Sequence, residues 1–221
     1  MVNNYLIIGA DSELAQEFIK INSTNKVNLF KISRNPIESD VLISDYFNDV
    51  QKIIDYVESL PNCYIIFFNG YLAENRPVQY PSNEELNMTF KINFHVPYFL
   101  TNELLHLDNI KKYVYISSLA AVKPRLKNFV YGSMKRLLEQ SIKSLGLKNV
   151  LFLRFGKIRT SMSTGHKDML LTMSKKTASE LIFKNIKKTG ISYPNFGLWF
   201  ISIFLKFLPI KLINFIEIEN D

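Results

Sequence analysis

The sequence predicts an α/β protein: a single doubly wound parallel sheet with helices on both faces, followed by an apolar helix at the C-terminal end. Three observations predict it. Short β-branched, apolar runs alternate with segments of helical period from the first residues onward. The runs are apolar on both faces, which suits strands covered by helices above and below rather than strands with one wet face. Finally, 221 residues suffice for one domain that buries most of its apolar surface, and a hydrophobic content of 47% is ordinary for a globular chain.

Taken in order, strands are expected at YLIIG from Tyr5, VNLFKIS from Val27, VLIS from Val41, CYIIFF from Cys63, KYVYISS from Lys112 and NVLFLRF from Asn149. GISYP from Gly190 reads as one more short strand. Helical period falls on ELAQEFIKI from Glu13, VQKIIDYVESL from Val50, the long stretch from Ser82 to Leu107, and YGSMKRLLEQSIKSL from Tyr131. Ser82 with Glu85 three residues on forms a capping box that opens the long stretch. Ser161 to Lys176 has no clear period and reads as a mobile loop. With no repeat or Pro/Gly-rich linker, residues 1–194 are expected to form one domain and 195–221 a helical extension.

That extension is apolar nearly all round over Phe196 to Ile216, but Lys206, Pro209 and Lys211 interrupt it. No uninterrupted run reaches the roughly 20 residues that a spanning helix needs. Two readings stay open: a helix buried against the domain or a partner subunit, or an interfacial helix that dips Trp199, Phe200, Phe204 and Phe207 into a membrane with lysines at head-group level.

Composition narrows the function classes. The formal charge of +7 collects late, at Lys167, Lys175, Lys176, Lys184, Lys187 and Lys188. It reads as a solvated helix face, or as a surface for anionic lipid or a phosphorylated substrate. No zinc finger, RNP-type strand or recognition helix accompanies it, so nucleic acid is not an expected partner. The single cysteine, Cys63, lies in an apolar run; it reads as a structural thiol in a reducing compartment. No basic leader with a cleavage site opens the sequence, which points to the cytoplasm. His95, His106 and His166 show no ligand spacing, and no metal site is assigned.

The chemistry is concentrated at Tyr131-Gly132-Ser133-Met134-Lys135. A phenol and an ammonium four apart on a helix share a face, so the lysine can hold the phenol's acidity near working pH. Ser118 lies thirteen residues before the tyrosine, at the end of a strand. At the other end of the chain the first strand runs into Gly9-Ala10-Asp11-Ser12-Glu13-Leu14-Ala15 and then a helix, where an α/β fold binds a dinucleotide diphosphate. Alone, that turn needs no ligand.

Together these segments resemble the short-chain dehydrogenase/reductase family over nearly the whole chain. GADSELA is similar to its TGxxxGxG turn, with an acidic residue and alanine in place of the later glycines. Phe68-Asn69-Gly70 resembles its N-[NA]-A-G signature, and Asn93 in KINFHVP its helix asparagine, with Pro97 behind it. Ser117 and Ser118 follow the fifth strand; Tyr131 and Lys135 make YxxxK; Arg154 to Thr160 resembles R-P-G-x-[IV]-x-T, with Phe155 in place of proline.

The resemblance implies a Rossmann-type fold and a carbonyl reductase. Tyr131 would exchange a proton with the substrate oxygen while NADPH delivers hydride. Lys135 would charge-stabilise the phenolate and hold the nicotinamide ribose, Ser118 would bond the substrate oxygen, and Asn93 would keep a water-linked proton path. Ser117 competes with Ser118, which alone has the family spacing. Cofactor contacts are implied at Gly9, Asp11, Ser12, Glu13 and Leu14, at Ser33, Arg34 and Asp45, at Asn69 and Gly70, and at Gly156, Ile158 and Thr160. The second strand ends Lys31-Ile32-Ser33-Arg34 with no carboxylate until Glu38, which favours NADP over NAD.

The chain is too short for family members with an added substrate domain. GADSELA, the early stop after ISYP and the aromatic helix with KFLP resemble reductases of bacterial polysaccharide and polyprenyl-phosphate sugar pathways. This implies a keto group on a sugar or lipid-linked sugar, reached from the inner membrane face, and the family resemblance implies a homo-oligomer. The alternative is a non-catalytic NADP-binding sensor or scaffold on the same fold.

Overall fold

The computed structural model describes residues 2–73, 81–164, 168 and 171–213. His166, Lys167 and residues 214–216, on which some expectations above fall, lie outside the described residues.

The chain runs β1 (Asn3–Ile8), α1 (Glu13–Asn22), β2 (Val27–Ser33), β3 (Val41–Leu42), α2 (Val50–Ser59), β4 (Cys63–Phe67), α3 (Asn83–Phe90), a π-turn (Lys91–His95), α4 (Val96–Glu103), β5 (Ile110–Ser118), α5 (Phe129–Ser144), β6 (Val150–Phe155), α6 (Lys175–Asn185), β7 (Gly190–Ser192) and α7 (Phe196–Phe207). Seven strands form one sheet in the order β3-β2-β1-β4-β5-β6-β7. Every pairing in it is parallel. From β1 the chain winds outward to β3 and then returns to β4, so the crevice between β1 and β4 is the switch point where such sheets take ligands.

Alternation along the strands divides the core into two layers. Leu6 and Ile8 of β1 join Ile53 and Val57 of α2, Leu100 of α4, and Leu138 and Ile142 of α5 on one face. Tyr5 and Ile7 join Ala15 and Phe18 of α1, and Ala178 and Ile182 of α6, on the other. Cys63 is buried, and burial pushes its thiol up to about 11, as suits an inert structural cysteine.

The long helix expected from Ser82 to Leu107 opens on the capping box, with Ser82 Oγ accepting from Glu85 N and Glu85 from Ser82 N. It is not one helix. At Lys91–His95 it slips into π register, with Val96 N–H donating to Lys91 O, and it ends at Glu103. Pro97, just beyond, has no N–H to continue the regular ladder, which accounts for a register change at this place. The stretch expected to be a loop to Lys176 ends earlier, because Ser174 caps α6 by accepting from Thr177 N at 3.1 Å.

Candidate active site

The turn after β1 is built for close approach. Gly9 has φ of 76°, and a Cβ there would lie 3.3 Å from Asn69 Nδ2 and 3.4 Å from Asn69 N. The turn therefore rests against the end of β4 in a conformation that only glycine adopts without strain. Ser12 caps α1, its Oγ accepting from Ala15 N at 3.3 Å. Ala15 is fully buried in the position of the family's third glycine, so helix and strand pack around its methyl. Glu13 does not face the turn's own amides: its carboxylate accepts from Ser161 N at 2.7 Å and from Lys175 Nζ at 2.6 Å. These partners hold its pKa down to about 2.

The catalytic candidates meet at the C-terminal ends of β4 and β5. The Tyr131 phenol lies beside the Ser118 side chain, close enough for that hydroxyl to lower its pKa. Ser118 Oγ also accepts from Ala120 N at 3.1 Å, which fixes its rotamer. Lys135 is 4% exposed, and its Nζ donates to the carbonyls of Asn69 (3.2 Å) and Ile116 (3.1 Å). Asn93, fully buried in the π-turn, clamps the chain after β4: its Oδ1 accepts from Tyr71 N at 3.2 Å, and its Nδ2 donates to Tyr71 O at 2.7 Å and Thr89 O at 3.0 Å. The two serines reach different residues of α5. Ser118 turns to the tyrosine, while Ser117 donates to buried Glu139 at 2.6 Å.

One expectation is reversed. The phenol is not drawn toward neutrality; burial pushes Tyr131 up to about 12, opposed by the Ser118 side chain. Burial also lowers Lys135 to about 8, opposed by the Glu139 carboxylate. Desolvation disfavours both charged forms, with Lys135 Nζ 5.8 Å from the Tyr131 ring centre.

The remaining sequence candidates flank this cluster. Arg34 is exposed at the end of β2, beside Ser33, whose buried Oγ accepts from Asn35 N at 2.9 Å. Asp45 is paired with Lys91 at 2.8 Å and caps Phe47 N at 2.9 Å, which holds its carboxyl below the usual range. Leu14 packs against the core layer of α1. Asp11 lies close enough to the Tyr46 phenol to raise its pKa. Gly70 would place a Cβ 3.6 Å from Met162. Gly156 would place one 3.0 Å from Leu198 of α7, and Ile158 bridges to Met173. Thr160 joins Glu13, Lys157, Arg159, Ser163, Thr164 and Asp168 around a cavity of about 500 Å³. In it Lys157 and Arg159 converge on the Asp168 carboxylate at 2.9 and 2.8 Å.

Three residues escaped the sequence reading. Tyr46, 6% exposed, lies close enough to the Asn69 side chain and the Gly9 backbone for both to oppose the rise that burial gives its pKa. Gly132 lets α5 approach the turn after Ser118, since a Cβ there would lie 2.8 Å from Ala120 O. Glu139 continues the Tyr131 and Lys135 spacing by four more residues, the one signal that could have found it. Asn69 Oδ1 is buried without a hydrogen-bond partner at the β1/β4 crevice. An orphaned acceptor, a Cβ-free turn and a helix N-terminus in one crevice fit a bound dinucleotide.

Fold and site together define a doubly wound α/β domain in which a tyrosine and a lysine one turn apart on α5 meet the end of β5, and the fold is that of the short-chain dehydrogenases. Among solved structures it is similar to a short-chain dehydrogenase from Burkholderia cenocepacia in complex with NADP, with a TM-score of 0.74 and 13% identity over 94% of this chain and 98% of that one. It is also similar to the carbonyl reductase Sniffer of D. melanogaster, with a TM-score of 0.72 and 17% identity over 88% and 97%. A third is the aldohexose dehydrogenase of Thermoplasma acidophilum, with a TM-score of 0.71 and 13% identity over 90% and 94%. No family model and no curated protein sequence matches the chain.

Proposed function

We propose that this chain is an NADP(H)-dependent oxidoreductase that reduces a keto group on a sugar or sugar-like intermediate, or oxidises the corresponding hydroxyl, in the building of cell-surface polysaccharide. The observation that carries the catalytic part is the meeting of Ser118, Tyr131 and Lys135 beside the Gly9 turn. When bound, the nicotinamide supplies or accepts hydride. The α1 N-terminus around Gly9 and Ser12 would hold the diphosphate, Arg34 the 2′-phosphate, Asp45 the adenine side, and the backbone from Gly156 to Thr160 the nicotinamide side. Tyr131, protonated at neutral pH, donates from its Oη to the carbonyl oxygen, and Ser118 Oγ bonds both phenol and substrate. The Lys135 ammonium stabilises the phenolate left behind, with the Asn93 clamp holding the chain beside it. Positioned acid–base catalysis of this kind is worth roughly 10²–10⁴ in rate.

Two features support the sugar and its setting. One structural neighbour is an aldohexose dehydrogenase. On α7, Phe196, Trp199, Phe200, Phe204 and Phe207 are exposed, while Leu198 and Ser202 face inward. Lys123 ties the end of that helix by donating to Lys206 O and Leu208 O at 3.1 and 2.6 Å. Among the described residues no helix is long and apolar enough to cross a membrane. Exposed aromatics next to Lys206 and Lys211 suit a helix lying on an anionic bilayer at the inner membrane face.

The test is NADPH consumption with a panel of keto-sugars, free and polyprenyl-phosphate-linked, beside NADPH binding followed by fluorescence. Tyr131→Phe should lose turnover and keep NADPH binding; unchanged turnover would sink the catalytic assignment. Binding of NADPH by the wild type without turnover of any carbonyl would favour the sensor reading. Co-flotation with anionic vesicles, lost in Trp199→Ser/Phe204→Ser, tests the membrane arm; self-association without flotation would assign α7 to a second copy instead.

A further inference from the structure

Three successive residues of β5 each grip one residue of a stripe on α5. Ile116 O accepts from Lys135 Nζ, Ser117 Oγ donates to Glu139 Oε1, and the Ser118 side chain lies beside the Tyr131 phenol. Tyr131, Lys135 and Glu139 lie four apart and so share a helix face. Glu139 is 2% exposed and Arg154 7%. Arg154 Nε donates to Glu139 Oε1 at 2.9 Å, its second guanidinium arm pairs with Oε2, and Nη1 donates to Tyr193 Oη at 2.9 Å.

A buried carboxylate–guanidinium pair is a poor device for stability, because apolar residues of similar size serve as well or better. The pair sits one turn from the active-site lysine, and the reaction steps above do not use it. Lys135, in turn, is held by two neutral carbonyls, and among the described residues no carboxylate forms an ion pair with it.

We propose that Glu139, clamped by Arg154 and Ser117, is a positioning residue for Lys135: it supplies the nearby negative charge that keeps the buried ammonium charged. The inference rests on the reading of Lys135 as part of the active site. Ionisable groups on the elements packed around the pair are Tyr131 on the same helix, Tyr113 and Tyr115 of β5 in the core layer shared with Leu138 and Ile142, Tyr98 and Glu103 of α4, Arg154 on β6 and Tyr193 after β7. The π-turn and α3 also pack on α5, but their Lys91 and Glu85 are engaged with Asp45 and Ser82, and His95 is exposed and stacks on Phe47. Burial lowers the Lys135 pKa and the Glu139 charge acts in the opposite direction. Neutralising Glu139 therefore lowers it further and reduces the ammonium fraction at neutral pH.

The readout is the titration of Lys135 in the full chain, followed by NMR of isotope-labelled lysine and assigned with Lys135→Arg. Glu139→Gln should move the midpoint down by about one unit or more, a tenfold fall in the ratio of ammonium to amine. Glu139→Asp should recover most of the shift. An unchanged midpoint in folded Glu139→Gln would overturn the proposal. If the lone substitution unfolds the chain by stranding Arg154, the double variant Glu139→Gln/Arg154→Met removes both charges; because the Arg154 cation leaves too, a smaller downward shift is expected of it, and an unchanged midpoint would overturn the proposal. Absence of reductase activity would leave this titration unaffected, so the two readings fail separately.

Discussion

Replacing Gly132 by alanine should damage catalysis more than stability. The added Cβ would lie 2.8 Å from Ala120 O and 3.2 Å from both Ala120 C and Ala120 Cβ, where ordinary contact begins at 3.4 Å. Relief requires α5 to retreat by about 0.6 Å, the difference between 3.4 and 2.8 Å. Overpacking of this kind costs roughly 1–3 kcal/mol, and alanine returns about 1 kcal/mol of helix propensity, leaving a net loss of roughly 0–2 kcal/mol. The helix that retreats carries Tyr131, and the turn it leaves is the one in which Ala120 N fixes Ser118 Oγ at 3.1 Å. A misplacement of 1 Å at a reacting group can cost about 10²-fold, so turnover should fall by about tenfold or more. NADPH affinity at the Gly9 turn should hold. Urea denaturation, NADPH fluorescence and the rate of NADPH consumption measure the three quantities. Wild-type turnover in a folded Gly132→Ala protein would refute the reasoning.

Acid titration tests the Glu13 contact. A carboxylate whose folded pKa is depressed stabilises the protein above its unfolded pKa, near 4.5, and that contribution is lost as pH falls toward about 2. Glu13→Gln should therefore be less stable than wild type at neutral pH, and the gap should close by pH 2; a gap constant across that range would refute the linkage. Arg154→Met strands a buried carboxylate and should cost roughly 3–5 kcal/mol in denaturant melts, most of it recovered in Arg154→Met/Glu139→Leu. Equal losses in the single and double variants would mean that the residues act by packing instead. Arg34→Asp should weaken NADPH binding by about tenfold or more, ~1.4 kcal/mol, with NADH binding held or improved; parallel losses for both cofactors would remove Arg34 as the discriminator.

The strands were legible because apolar runs in a covered parallel sheet have no polar face to blur them; β2 begins and ends where the sequence places it. Helix α6 was not, because the face it buries is made of Ala178, Ser179 and Asn185 beside Ile182, too small and polar to show an apolar period. The π-turn was invisible for a different reason: a slip of one residue leaves the apolar pattern intact, and only Pro97 marked it. Within the site, Tyr131 and Lys135 followed from helical spacing. Between Ser117 and Ser118 the family spacing alone chose. Burial is not written in residue type. A glutamate on a helix reads as solvated, so Glu139 was passed over, and the direction of the Tyr131 shift was read from its charged neighbour rather than from the desolvation that dominates it.

Asn69 explains why the two ends of this site stand at a fixed separation although they come from opposite ends of the domain. Its main-chain carbonyl takes the Lys135 ammonium, and its side chain lies 3.3 Å from where a Gly9 Cβ would be and beside the Tyr46 phenol. Tyr46 is in turn within the field of Asp11 and Arg34. One residue at the end of β4 thus touches both the turn suited to a diphosphate and the lysine suited to proton transfer. Neither half can move along the sheet without disturbing it. The missing later glycines of the turn matter less in this light: the turn is held in place by its contact with β4, and that contact needs Gly9 alone.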